Sequence, residues 1–218
     1  MPDFATFSSL LRITTKYELP TVRSQLLELV RDAYPETFEG LAPSKTLGEN
    51  VFSGPAPHPN EVLNLFVQQS LTSTLPMAYY MAARRGPRSL MNTRRPARAL
   101  LSPETLQTAV EGLMALREME LKEIHRLIMT PHRCLSQGCI SPKTLGTGAS
   151  DVERKVINKI TGSSQPGTKI LQVFSLDEIC GDELDGFCKS CEEWWESGHV
   201  EMRKDAWAAL PSVFGLRA

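Results

Sequence analysis

Four cysteines in two close pairs are the side chains in this sequence best suited to chemistry. Cys134 and Cys139 form a C-x4-C pair, and Cys188 and Cys191 form a C-x2-C pair. Thiolates at such spacings, brought together, hold one tetrahedral zinc. Cys188 and Cys191 fall at the start of an expected helix. Unpaired N–H groups and the helix dipole there favour the thiolate, the form that binds metal. Cys134 and Cys139 fall in a loop after a long expected helix. A zinc at these four residues joins that loop to the last helix, which makes its role structural. Plain burial competes with this reading, because free cysteine is among the most buried residue types. His132 and His199 are spare ligands, and Cys180 is a bystander.

Other reactive side chains point away from catalysis. Cys191, Trp195, His199 and Met202 recur at helical spacing, which reads His199 as a core or boundary histidine bonded to a neighbour. A catalytic histidine needs a nucleophile or substrate group in reach. The sequence has no nucleophile elbow, no phosphate-binding glycine loop and no H-E-x-x-H, so an enzyme is not expected. Trp195 and Trp207 are expected in the core, with Trp194 partly exposed. The arginines at 84, 85, 88, 94, 95 and 98 are interleaved with Gly and Pro, the pattern of a solvated loop.

Bulk composition narrows the partners. The formal net charge is -1, so no global basic field gathers nucleic acid or anionic membrane. Hydrophobic content is 41%, enough for a packed core. No apolar run reaches bilayer length, and M-P-D-F-A-T-F lacks the basic and apolar regions of a secretory signal. The expected setting is intracellular, cytoplasm or nucleus. An odd total of five cysteines there points to metal or burial rather than a disulfide framework.

The elements that must position these residues are helical. Asp3 is an N-cap for a helix carrying Phe4, Phe7, Leu10, Leu11 and Tyr17. Leu19-Pro20 breaks it and opens a second helix striped by Val22, Leu26, Leu29, Val30 and Ala33, ended by Pro35. Residues 40 to 59 read as a loop. Helices follow from about Asn60 to Thr72 and from Leu75-Pro76. Ser102-Pro103-Glu104 opens the longest helix, with Leu106, Val110, Leu113, Leu121, Ile124 and Ile128 on one face and Pro131 at its end. Ser150-x-x-Glu153 is a capping box for another. The last helix runs from Phe187 to about Leu210 and is expected to end at Pro211. Lys169 to Phe174 is at most a lone strand.

Three segments resemble fungal BTB/POZ-domain proteins, in the helical region that follows the BTB core. The first is L-L-R-I-T-T-K-Y-E-L-P-T-V-R-S-Q-L-L-E-L-V-R-D-A-Y-P, from Leu10 to Pro35, which is similar to the hairpin closing a BTB unit. The second is N-E-V-L-N-L-F with L-P-M-A-Y-Y-M. The third holds C-K-S-C, His199, Arg203, Trp207 and the L-P-x-x-F-G-L ending. They cover most of the chain, in family order. The BTB core, a mixed α/β unit that gives that family its dimer interface, belongs before Phe4, and none is visible in this sequence.

The expectation is an all-α, irregular bundle of about seven helices, BACK-like. Residues 1–35 form a hairpin resembling the end of a BTB unit, and residues 36–218 form a helical region with paired cysteines. The resemblance implies a non-catalytic protein-interaction module or adaptor whose partner is a BTB-containing protein or a second copy. With no BTB core to cover them, Phe4, Phe7, Leu10 and Leu11 are expected on the interaction surface. The alternative is a zinc-stabilised regulatory or DNA-associated protein in which the arginines meet phosphate.

Overall fold

A computed structural model describes residues 2–31, 33–41, 52–92, 96–129, 170–171 and 189–216. Every regular element among them is helical, so the fold is all-α. The order is α1 (Phe4–Lys16), α2 (Pro20–Arg31), α3 (Pro59–Gln68), α4 (Leu75–Ala83) and α5 (Pro87–Leu90). A 3₁₀ turn (Ala97–Ala99), α6 (Pro103–Met129) and α7 (Lys189–Val213) follow. Two compact units emerge, one of Met1–Leu113 with Leu210–Ala218, the other of Met114–Ala209. The hairpin of α1 and α2 lies wholly inside the first.

Local sequence starts these helices. Asp3 Oδ1 accepts the Thr6 backbone N–H at 2.8 Å, and this bond holds the Asp3 carboxyl below its ordinary range. His58 does the same for α3, its Nδ1 accepting the Asn60 N–H at 3.2 Å. Ser102 Oγ accepts the Thr105 N–H at 3.2 Å, one residue before Pro103 opens α6.

Three helices close with one device. Leu19 N–H reaches back to Thr14 O at 2.8 Å, Leu71 N–H to Phe66 O at 3.0 Å, and Leu216 N–H to Pro211 O at 2.8 Å. Each is the six-to-one bond of a Schellman motif, which needs a left-handed residue just before its donor. Those residues are Glu18 (φ 52), Ser70 (φ 51) and Gly215 (φ 61). Ser70 explains why α3 ends at Gln68 rather than near Thr72. The last motif explains why α7 runs through Pro211 to Val213 instead of stopping at the proline. Pro211 sits in the final turn, where its missing N–H costs one bond while Leu210 and Phe214 stay buried.

In the first unit the core centres on α4, buried on nearly all sides from Leu75 through Ala83. Phe7, Leu11, Val30, Leu63, Phe66 and Leu113 pack in the same core. Phe214 anchors the chain end there, its ring stacked on Tyr79 with centroids 5.1 Å apart. Gly112 makes room for that ring: a Cβ at Gly112 would lie 2.1 Å from Phe214 Cε1. In the second unit Leu116, Glu120, Ile170, Leu171, Met202 and Ala206 are buried. Leu121, expected on the apolar face of α6, is exposed; the buried face of that helix instead carries Leu116 and Glu120.

Candidate interaction surface

Two apolar stripes run along α1, and only one is covered. Phe7 and Leu11 are fully buried, together with Thr14. Phe7 meets the Phe52 ring at 5.3 Å, and Phe4 meets the same ring edge-on at 5.2 Å. Leu10, Ile13 and Tyr17, spaced three and seven residues apart, share the other stripe. They are 39%, 47% and 63% exposed. Leu19, just before α2, and Val22, in its first turn, are exposed to a similar degree. Lys16 Nζ lies 5.4 Å above the Tyr17 ring, a cation–π contact at the edge of the strip.

The expected surface is therefore corrected in part. Leu10 lies on it, Phe4 is half-buried, and Phe7 and Leu11 are core residues. The chain's own Phe52 packs on Phe4 and Phe7, on the face that was expected to be open. Ile13, Tyr17, Leu19 and Val22 were missed. The signal for Ile13 was present as the i, i+3, i+7 spacing of Leu10, Ile13 and Tyr17, a second stripe beside the first.

Polar contacts fix the hairpin that displays this strip. Arg23 donates to Gln69 O at 3.0 Å, at the carbonyl end of α3. Thr15 Oγ1 donates to Gln69 Oε1 at 2.7 Å, and Arg12 to Gln68 Oε1 at 3.3 Å. The strip is thus held on two helices whose orientation is set by a third.

No family model, curated protein or solved structure matches the chain.

The remaining chemical candidates take up other places. Cys134, Cys139 and Cys188 lie outside the described residues, and so does the Cys191 side chain, although its backbone is on α7. His132, Cys180, Arg94, Arg95 and the segment from Ser150 to Glu153 also lie outside them. No group of three or more His, Cys, Asp or Glu side chains converges among the described residues. His199 is buried on α7. Burial first, and the Arg203 charge second, push its pKa down to about 4, so the ring is neutral at ordinary pH. Arg203 is buried too and donates Nε–H to Leu171 O at 3.1 Å, tying the 170–171 turn to α7. Of the arginine group, Arg98 pairs with Glu61 at 3.1 Å. Trp194 and Trp207 are half-buried. No helix among the described residues is long and apolar enough to cross a membrane.

Proposed function

We propose that the chain is a protein-interaction module that binds its partner through the apolar strip of Leu10, Ile13, Tyr17, Leu19 and Val22. The observation that carries this reading is five large apolar side chains left open on a hairpin that is otherwise capped, packed and pinned. Covering what remains exposed of each contributes about 1 kcal/mol, so the strip as a whole favours a partner by several kcal/mol before ordering costs. The resemblance of this hairpin to the one closing a BTB unit makes an adaptor its natural setting, with a BTB-type protein or a second copy as partner.

Light scattering of the purified chain over a range of concentrations tests the self-pairing form. The expected result is a concentration-dependent dimer that Ile13→Asp abolishes. A monomer at every concentration removes self-pairing and leaves the heterologous partner, which cross-linking from position 17 addresses directly.

A further inference from the structure

A third face of α1 borders an open groove. Ala5, Ser8, Ser9 and Arg12, in one row along the helix, form one wall, and α3 forms the other through Asn64 and Gln68. Its volume is about 1010 Å³. Small side chains on the α1 wall leave the space open. Asn64 fixes the far side by donating to Arg98 O at 3.0 Å and Leu100 O at 2.7 Å, which holds the 3₁₀ turn in place.

The charges in this groove are unevenly satisfied. The Asp3 carboxylate is taken up by the Thr6 N–H and hydroxyl, and Glu61 is paired with Arg98. Among the described residues Arg12 bonds the neutral Gln68 amide and pairs with no carboxylate. A guanidinium presents a planar fork of donors suited to a carboxylate. From Ala5 to Arg12 the wall is roughly 10 Å long at the helical rise, which matches about three extended residues. Among the described residues, Asn64 Oδ1 and the Gln68 side-chain N–H groups take no part in these bonds and suit the N–H and C=O groups of an extended backbone.

We propose that this groove binds an extended segment of a partner protein that presents an aspartate or glutamate to Arg12. The groove occupies a different face of α1 from Leu10, Ile13 and Tyr17, so this site stands apart from the apolar strip and is tested separately.

Panning a displayed library of random linear peptides on the full chain supplies the probes. The enriched peptides are then titrated by fluorescence anisotropy against the wild type, Arg12→Gln and Ser9→Trp. Both substitutions are at exposed helical positions, and circular dichroism checks that the fold is kept. The expected outcome is a shared acidic residue among the peptides, affinity about tenfold weaker in Arg12→Gln, and binding lost in Ser9→Trp, whose indole fills the groove. Failure of any peptide to enrich overturns the proposal. So do peptides without an acidic residue, or peptides that bind both variants like the wild type.

Discussion

Gly112→Ala tests how the chain end is held. A Cβ at this position would stand 2.1 Å and 2.2 Å from two carbons of the Phe214 ring. Carbon atoms pack at about 3.5–4.0 Å, so the overlap exceeds 1 Å, roughly, and a small shift cannot absorb it. The ring has little freedom to yield, being buried and stacked on Tyr79. Either α6 moves away or Phe214 leaves its site. Losing a buried phenylalanine costs about 3–5 kcal/mol, which bounds the loss from above. Alanine regains about 1 kcal/mol of helix propensity over glycine. The net expectation is a destabilisation of about 2–4 kcal/mol. Urea unfolding followed by circular dichroism measures it as a lower midpoint with an unchanged slope. In a Phe214→Ala background the same substitution costs much less, because the clashing carbons are gone. A Gly112→Ala chain as stable as the wild type, or more stable by the propensity gain alone, refutes the packing of Phe214 against Gly112.

Two further predictions concern the buried histidine and the helix exits. His199 has a folded pKa of about 4 against 6.5 unfolded, so the unfolded chain takes up the proton first as pH falls. Its contribution is complete above pH 6.5 and is lost progressively towards pH 4, by about 3 kcal/mol in all. Unfolding curves across that window should show the loss in the wild type and a flatter profile in His199→Gln. Glu18→Gly and Ser70→Gly each relieve a left-handed residue and should raise stability by up to about 1 kcal/mol in urea unfolding, whereas Gly215→Ala should lower it by a similar amount. No change in any of the three contradicts the shared Schellman closure.

Helix entries were legible because they are local. Asp3, Leu19-Pro20 and Ser102-Pro103 act within a turn of their own position, and the structure uses each as expected. Helix exits were harder. Pro211 looks like a stop, yet the burial of Leu210 and Phe214 carries α7 past it. Ser70 and Glu18 gave no warning, since neither residue type advertises a left-handed conformation as glycine does. The face of α1 that becomes surface was not legible either. Its two apolar stripes are alike in composition, and the choice between them is made by Phe52 and by the end of α3, dozens of residues away. The groove beside Arg12 depends on the 3₁₀ turn held by Asn64, again a distant contact. His199, by contrast, was readable from its helical spacing with apolar neighbours.

The central claim is that the strip on the hairpin is where a partner sits. Site-specific photo-crosslinking tests it, with benzoylphenylalanine placed at Tyr17 of the full chain in its source cells and, as reference, at the exposed Lys122. The account predicts one discrete adduct from position 17, to a second copy or to a single other protein, that Ile13→Asp removes and position 122 does not give. No adduct from position 17, or the same adducts from both positions, contradicts it.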